Sequence, residues 1–372
     1  MGFKCGIVGL PNVGKSTIFN ALTSAGAASA NYPFCTIDPN VGRVDVPDSR
    51  LQTLDTYVKA QKIVPASMEF VDIAGLVRGA ASGEGLGNQF LGHIRQTDAI
   101  AHVVRCFEDG DITHVEGSVD PIRDIEIIET ELILADLQTV ENAQTRNEKL
   151  KKTNKKEVLL ILEMLEALSQ HLQQSNPARS FELEEFVGDE VMVSDAYRDL
   201  HLITGKKVLY VCNVNEEMAD GSIDNEHTKR VKELAVAEGA VATIICGKIE
   251  EELSQLEPEE KMEMIGDFGM TEAGLDRLIR SGYELLGLQT YFTAGEKEIR
   301  AWTIRKGDKA PAAAGKIHSD FERGFICAEV YCIPDLENVG QRSKLKENGL
   351  IRQEGRDYVV SDGDVMEFRF NV

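Results

Sequence analysis

The stretch Gly9-Leu10-Pro11-Asn12-Val13-Gly14-Lys15-Ser16 fits the pattern G-x-x-x-x-G-K-[ST]. The run before it, residues 4–8, is typical of a buried strand, and residues 17–22 favour the start of a helix. In that context the glycines let the backbone curl so that successive N–H groups point at phosphate oxygens, and the helix N-terminus adds its dipole. Lys15 is expected to reach the β and γ phosphates, and the Ser16 hydroxyl to bind Mg²⁺. The stretch therefore predicts an α/β fold that binds a nucleoside triphosphate.

A second motif downstream supplies further parts of such a site. In residues 67–75 a strand-like alternation ends at Asp72, and Gly75 follows three residues later. Asp72 alone would be an ordinary turn former. Together with the phosphate loop it is a predicted Mg²⁺ ligand, and the N–H of Gly75 is expected to face the γ-phosphate. Thr36, in the loop 31–40, is predicted to close over Mg²⁺ when the γ-phosphate is bound; the alternative is that it only occupies a turn.

Composition and charge limit the class of protein. The 372 residues are 42% hydrophobic and 27% charged, which is typical of a folded chain of two or three domains. No apolar run reaches the ~18 residues that a membrane-spanning helix needs, no signal peptide is evident, and the seven cysteines lie singly. We therefore predict a cytoplasmic protein with no membrane partner. The net charge of −22 excludes a general attraction to nucleic acid, so an RNA contact needs a local basic patch.

The wider set of motifs resembles the YchF-type Obg-like ATPases, a branch of the translation-factor GTPases. The resemblance covers essentially the whole chain and rests on GLPNVGKST (9–17), NYPFCTIDPN (31–40), DIAGLVRGA (72–80), GEGLGNQFL (83–91), NVNE (213–216), CGKIE (246–250) and GRDYVVSDGDVMEFRFNV (355–372). It implies a P-loop NTPase with a doubly wound, mostly parallel sheet and a C-terminal β-grasp-like TGS domain. It also implies that ATP is the preferred nucleotide.

The base-recognition motif departs from the N-K-x-D of GTPases. After the strand-like run 207–212, Val214 replaces the lysine and Glu216 replaces the aspartate. Adenine has an acceptor where guanine has its ring N–H, so a fixed carboxylate there would be mismatched with adenine, and the altered motif argues against strong guanine selection. A GTPase switch of the same fold is the first alternative. The predicted nucleotide-binding residues are Asn12, Val13, Gly14, Lys15, Ser16, Thr17, Asn213, Val214, Glu216, Cys246 and Gly247.

The group that positions the attacking water is less evident. Related GTPases place a glutamine after the glycine of D-x-x-G, but here Leu76 follows Gly75 and cannot hydrogen-bond to water. The resemblance therefore implies slow hydrolysis. His114, beyond the strand-like run 99–107, is predicted to be catalytic together with Lys15 and Gly75. A packing role for His114 is the open alternative, because its ordinary pKa suits either role.

A positive charge at the γ-phosphate has one candidate source. No arginine finger can be identified in the sequence. Asn12 occupies the loop position that in several relatives helps to hold a monovalent cation, so K⁺ is a second predicted cofactor by analogy. His93 and a backbone carbonyl are the other candidates for positioning the attacking water, although His93, in the helical run 86–96, is interpreted as a surface or packing histidine.

Two further regions complete the predicted organisation. Apolar residues at helical spacing from about residue 124 to 152, and again over 157–172, predict an antiparallel helical hairpin inserted into the nucleotide-binding domain. Strand-like runs follow at 299–304, 325–330, 357–360 and 365–370. We assign residues 1–123 and 200–288 to the nucleotide-binding domain, 124–199 to the hairpin insertion, and 289–372 to the TGS domain.

Local charge indicates where a ribosome or RNA would bind. The hairpin tip carries a basic cluster, which is either a phosphate contact or a solvated helix end: Arg146, Lys149, Lys151, Lys152, Lys155 and Lys156. Residues 289–372 have thirteen Lys and Arg against fourteen Asp and Glu, so they are nearly neutral. The leading hypothesis is a regulatory ATPase linked to ribosomes or RNA through these two regions. The second alternative is a nucleotide-gated binding scaffold in which hydrolysis is incidental.

Overall fold

The computed structural model describes residues 3–29, 41–73, 86–110, 114–150, 156–187 and 191–371. Apart from the first two residues, the chain divides into two compact units. The first unit contains Phe3–Gly42 and Glu69–Leu278, and the second contains Arg43–Met68 and Ile279–Val372. Sequence patterns did not indicate that residues 43–68 group with the C-terminal part, and the domain boundaries assigned above stay predictions.

The described residues form twelve strands and fifteen α-helices. The strands are β1 (Lys4–Val8), β2 (Val41–Asp45), β3 (Ile63–Val64), β4 (Ser67–Asp72), β5 (Ala99–Arg105), β6 (Lys207–Asn213), β7 (Val241–Ile245), β8 (Leu288–Ala294), β9 (Ile299–Arg305), β10 (Phe325–Cys332), β11 (Arg352–Glu354) and β12 (Asp364–Phe370). The helices are α1 (Lys15–Ser29), α2 (Arg50–Val58), α3 (Leu86–Arg95), α4 (Pro121–Leu150), α5 (Lys156–Gln173), α6 (Glu184–Val187), α7 (Val191–Arg198), α8 (Glu226–Ala237), α9 (Gly247–Leu253), α10 (Pro258–Asp267), α11 (Gly274–Leu285), α12 (Ala310–Ile317), α13 (Ser319–Arg323), α14 (Ile333–Val339) and α15 (Arg342–Glu347). Within the described ranges, no helix has the length and apolarity needed to cross a membrane.

One sheet has the strand order β2-β4-β1-β5-β6-β7. β1 pairs in parallel with β4 and β5, and the pairs β5–β6 and β6–β7 are also parallel. Every residue of β5 is buried, as expected for a strand covered on both faces. The predicted doubly wound, mostly parallel α/β fold is confirmed. Its parallel strands bring the loops after β1, β4, β5, β6 and β7 to a single edge, where such sheets bind ligands.

The helical insertion between β5 and β6 has its own apolar core. α4 and α5 contact each other, and the inward residues Val140, Ala143, Leu165 and Leu168 belong to one buried cluster. The predicted helical hairpin is therefore present, with α4 starting three residues earlier than 124 because Pro121 occupies its first turn, where proline is tolerated. The tip residues Lys151, Lys152 and Lys155 lie outside the described residues.

The second unit is built on a mixed sheet with the order β11-β10-β12-β8-β9-β3. β10 pairs antiparallel with β11 and β12, β8 pairs antiparallel with β9, and the β12–β8 pair is parallel. Tyr291, Ile304 and Phe368 form a buried cluster with the alanines of α12. The TGS assignment of this region stays a prediction.

The prediction of a strand at 357–360 is wrong. This segment makes only an isolated bridge from Val359 to Lys309. Its polar groups are used by the following turn, since the Tyr358 hydroxyl and the Ser361 N–H both donate to Asp364 Oδ2, at 2.7 and 2.9 Å. Gly363 in that turn has φ +89°, a conformation that favours glycine. Backbone hydrogen bonds from Ala310 N to Tyr358 O at 2.9 Å and from Val360 N to Asp308 O at 3.0 Å form the bridge, which the turn ends before a strand can extend.

Candidate nucleotide-binding site

The phosphate loop leaves β1 and enters α1 through two residues of left-handed conformation. Asn12 has φ +64° and Gly14 has φ +93°. A Cβ atom at position 14 would lie only 2.1 Å from Asn213 Nδ2, so this position excludes any larger residue. The first helical hydrogen bond runs from Ile18 N to Gly14 O at 3.0 Å. The loop therefore has the curled backbone, leading into a helix start, that phosphate binding needs.

Lys15 and Asp72 lie side by side at the edge of the sheet. Register pairing of Ile7 with Asp72 brings the end of β4 next to the phosphate loop. The Lys15 Nζ to Asp72 Oδ1 distance is 3.3 Å, with the two side chains 10% and 21% exposed. Ser16 follows as an exposed residue at the start of α1. The ammonium, carboxylate and hydroxyl groups predicted to act on phosphate and metal are thus on neighbouring elements.

The available donor atoms suit Mg²⁺. Within the described part of the chain, no group of three or more His, Cys, Asp or Glu residues is placed to hold a metal ion. Mg²⁺ in nucleotide sites needs few protein ligands, because phosphate oxygens and water complete its octahedron. The hydroxyl of Ser16 and the carboxylate of Asp72 are hard oxygen donors of the required kind. The third predicted ligand, Thr36, lies outside the described residues, as do Gly75 and Leu76.

Asn213 joins the phosphate loop to the loop after β7. Its Nδ2 donates to Val13 O at 2.9 Å, and its Oδ1 accepts from Gly247 N at 3.0 Å. The residue is 5% exposed. Both ends of the amide are therefore used by backbone groups, and Asn213 acts on the site by holding two loops in place.

Val214 and Cys246 lie in the core beneath the site. They are 2% and 3% exposed and belong to the cluster that includes Ile244 and Tyr210. Val214 N donates to Ile245 O at 2.9 Å, and burial raises the pKa of the Cys246 thiol. Any contact of these two residues with a nucleotide would have to come from their backbone. The valine that replaces the usual lysine is thus a packing residue in this structure.

Glu216 and Lys248 form an ion pair on the surface above this core. The Lys248 Nζ to Glu216 Oε1 distance is 2.5 Å, and hydrogen bonding to Glu216 raises the pKa of Lys248. Glu216 follows β6 and Lys248 is the second residue of α9, so the pair bridges the segment after β6 and the start of α9. The carboxylate at the base-recognition position is accordingly already partnered.

His114 is buried against α4. Its Nε2 lies 2.9 Å from Asp124 Oδ2, and its Nδ1 accepts the Glu116 N–H at 3.2 Å. The acceptor role of Nδ1 places the proton on Nε2, which donates to the carboxylate. Burial raises the pKa of Asp124, against the lowering effect of His114 and Arg123. Both ring nitrogens therefore have partners, and a catalytic role would require the ring to leave Asp124.

Sequence reasoning missed Arg105 and Phe107. Arg105 ends β5 and is 1% exposed. It donates from Nε to Phe107 O at 3.0 Å, and its Cζ lies 4.8 Å from the centroid of the Phe107 ring. Cys106 N donates to Asn213 O at 2.8 Å, so this turn lies beside Asn213. The predicted strand 99–107 ends two residues early because Arg105 holds the turn. An arginine within the strand-like run 99–107 was the feature that could have indicated it.

Comparison with known proteins supports one family. A model described as "50S ribosome-binding GTPase" matches residues 4–164, and the YchF-GTPase_C model, described as "Protein of unknown function", matches residues 288–371. The chain is 56% identical over 373 residues to "Ribosome-binding ATPase YchF" of Bacillus subtilis (strain 168), covering 100% of both chains. It is 54% identical to the protein of the same name from Haemophilus influenzae, again with 100% of both covered.

A solved structure agrees with these relatives. "Structure of the Schizosaccharomyces pombe YchF GTPase" matches with a TM-score of 0.84 and 38% identity, over 99% of this chain and 98% of that one. Chains that are identical to this extent over their whole length share both the fold and the motifs. The chain therefore belongs to the YchF family of P-loop proteins.

Proposed function

We propose that the protein is a Mg²⁺-dependent ATPase that hydrolyses ATP to ADP and phosphate and acts as a nucleotide-dependent switch at the ribosome. The observation that carries the proposal is the 3.3 Å contact of Lys15 with Asp72 at the edge where Asn213 fixes the phosphate loop. The relatives named ribosome-binding ATPases, at 56% and 54% identity, support the nucleotide and the partner. With no membrane-spanning helix among the described residues, a cytoplasmic location is the accompanying proposal.

Phosphate binding is assigned to the loop and its lysine. Backbone N–H groups of residues 12–17 would hold the phosphate oxygens, and Lys15 would turn from Asp72 toward the β and γ phosphates. Ser16 and Asp72 would hold Mg²⁺, with Thr36 as the third proposed ligand. Bound Mg²⁺ neutralises negative charge on the phosphates during transfer. Asn12 remains the proposed residue for K⁺.

Base binding is assigned to the loops after β5, β6 and β7. Phe107 is half-buried and backed by the Arg105 guanidinium, so its ring offers a fixed face on which a base can stack. The engagement of Glu216 by Lys248 removes the free carboxylate that guanine recognition uses. Stacking on Phe107 would serve either purine base, whereas the pairing of Glu216 with Lys248 favours ATP. The names of the nucleotide-domain model and of the Schizosaccharomyces pombe structure contain GTPase, which makes GTP the competitor to be tested.

Catalysis by this set of residues should be slow. His114 would act on water only after release from Asp124, and that release breaks a buried hydrogen bond. Gly75, whose N–H is proposed to face the γ-phosphate, completes the proposed catalytic set together with Lys15. We expect turnover to rise when a partner moves the segment that contains His114.

Competition binding of fluorescent ATP and GTP analogues tests the proposal. With Mg²⁺ present, ATP should bind at least tenfold more tightly, a difference of about 1.4 kcal/mol. Because Mg²⁺ bound to the phosphates contributes equally to both nucleotides, chelation should weaken both affinities and leave the preference for ATP unchanged, and phosphate release is measured in parallel. GTP binding tenfold tighter would move the protein to the GTPase switches and leave the phosphate site intact.

A further inference from the structure

A groove on the helical insertion lies apart from the nucleotide-binding residues. We call it the insertion groove; it has a volume of about 420 Å³ and lies between α5 and the segment that leads into α6. Its lining residues are Ala167, Gln170, His171, Gln174, Ser180, Phe181, Glu182, Glu185 and Phe186. The volume is in the range of pockets that hold a side chain or small ligand. The groove is therefore large enough for recognition of a partner.

Aromatic rings form the fixed part of the insertion groove. The Phe181 and Phe186 rings stack with centroids 5.5 Å apart and planes 15° from parallel. Behind them Tyr197 stacks on Phe181 at 6.1 Å, and its hydroxyl donates to Ala178 O at 3.0 Å. The rings pack against the buried cluster of the insertion, which includes Leu168 and Leu172. Because this support is apolar and buried, the ring faces in the groove are held in position.

Two glutamates line the insertion groove. Glu182 and Glu185 are exposed and form no ion pair or side-chain hydrogen bond with any described residue. Among the residues that the structure describes, no lysine or arginine lines the groove. Nε2 of His171 is engaged by Pro177 O at 3.2 Å and Ser180 Oγ at 3.0 Å. Two unpaired carboxylates thus stand beside stacked aromatic rings.

This combination fits a guanidinium group better than other ligands. Arginine is planar and weakly hydrated, stacks on aromatic faces, and pairs with carboxylates through two parallel N–H donors. A lysine ammonium is more strongly hydrated and has no planar face. A nucleic-acid phosphate would be repelled by Glu182 and Glu185. The chemistry of the groove therefore favours a basic protein segment over RNA, in contrast to the cationic hairpin tip.

We propose that the insertion groove binds an arginine side chain presented by a basic segment of a partner protein. The guanidinium stacks on the Phe186 ring, which Phe181 supports from behind, and donates hydrogen bonds to the carboxylates of Glu182 and Glu185. Binding at this site needs no nucleotide and does not depend on the proposed ATPase activity.

Fluorescence anisotropy with the full-length protein tests the inference. The probes are a labelled peptide of alternating arginine and glycine, the same peptide with lysine for arginine, and a single-stranded RNA oligonucleotide. At roughly 0.15 M salt, where long-range attraction is screened, the arginine peptide should bind about tenfold more tightly than the lysine peptide. The double variant Glu182→Gln/Glu185→Gln should weaken arginine-peptide binding by about tenfold.

A matched control separates the groove from the overall negative charge. Glu259→Gln/Glu263→Gln on α10 makes the same change in net charge at two exposed positions of the same unit and should alter binding by less than about twofold. Phe186→Leu keeps an apolar side chain but removes the ring, and should reduce the preference for arginine over lysine. Equal weakening by the two double variants, equal binding of the two peptides, or RNA binding that depends on Glu182 and Glu185 would each overturn the proposal.

Discussion

At the scale of single residues, Asn213 links parts of the site that are 200 positions apart. Its amide donates to Val13 O and accepts from Gly247 N. Gly14 is required beside it, because a Cβ atom there would lie 2.1 Å from the amide nitrogen. The shape of the phosphate loop therefore depends on a residue that sequence comparison with GTPases would assign to the base.

Replacement of Asn213 by alanine should loosen the phosphate loop. The change leaves the buried Val13 carbonyl and Gly247 N–H without their partner, at a cost of about 1–3 kcal/mol in unfolding free energy, and ATP binding should weaken about tenfold. Asn215→Ala is the matched control, since Asn215 is exposed and makes no capping side-chain bond. Urea unfolding and nucleotide titration of both variants measure the effect. If the two variants have the same stability and the same ATP affinity, Asn213 does not hold the phosphate loop in place.

A second residue-scale property is the buried imidazole of His102 in β5. Burial, aided by the positive charge of Arg179, lowers the pKa of His102 to about 3. In the unfolded chain the ordinary value near 6.5 applies. Its neutral form therefore contributes stability that is fully present above pH 6.5 and is lost as the pH falls toward 3.

This shift predicts a pH-dependent loss of stability. Between pH 7 and pH 5 the uncharged His102 should account for about 2 kcal/mol of the decrease in unfolding free energy. His102→Leu should reduce that decrease by about the same amount, whereas His93→Gln at an exposed position of α3 should not change it. Denaturant unfolding at the two pH values provides the measurement. If the unfolding free energy of His102→Leu depends on pH as steeply as that of the unmodified protein, other groups dominate the pH dependence.

At the scale of elements, one carboxylate holds in place the segment that connects the helical insertion to β6. Asp136 in α4 is fully buried and accepts from Ile203 N at 2.8 Å and from Thr204 N and Oγ1 at 2.7 Å. Thr204 Oγ1 in turn accepts from Ala178 N at 2.9 Å. Arg179 adds ion pairs to Glu129 and Glu238. Because these contacts immediately precede β6, they position the strand that carries Asn213.

Asp136→Ala should therefore lower the unfolding free energy more than a substitution at an exposed position of the same helix. Loss of the three hydrogen bonds should lower the unfolding free energy by about 3 kcal/mol, while Glu141→Ala should change it by less than about 0.5 kcal/mol. Thermal and urea unfolding are the measurements, with ATP affinity as a second readout. Equal effects of the two substitutions would contradict the anchoring role.

At the scale of the whole molecule, the proposed switch requires that nucleotide binding change partner binding. The negative charge is concentrated outside residues 289–372, which are nearly neutral. Ribosome association through the C-terminal region and the basic hairpin tip would then be local contacts that a nucleotide can regulate from the site in the first unit. The binding-scaffold alternative shares this requirement but not the need for hydrolysis.

Lys15→Ala should remove the ATP dependence of ribosome association. Without the ammonium, nucleotide affinity should fall at least about tenfold, and co-sedimentation with ribosomes should no longer respond to added ATP. Lys229→Ala, an exposed lysine on α8, is the charge-matched control. A His114 variant that binds ATP but hydrolyses it more slowly distinguishes the alternatives: unchanged association favours the scaffold, and altered association favours the switch. Association of Lys15→Ala that still responds to ATP would contradict both.

The sequence by itself determined the phosphate loop, the motifs that follow the parallel strands and the helical hairpin. These follow from local rules, because a curled anion-binding backbone needs glycine and lysine at fixed neighbouring positions and helices repeat their apolar residues along the chain. Tertiary structure decided which side chains pair across long separations. It placed Val214 in the core, paired His114 with Asp124, and limited the predicted strand at 357–360 to an isolated bridge with Lys309. Such choices depend on which polar groups meet after the elements pack, and spacing along the sequence does not encode them.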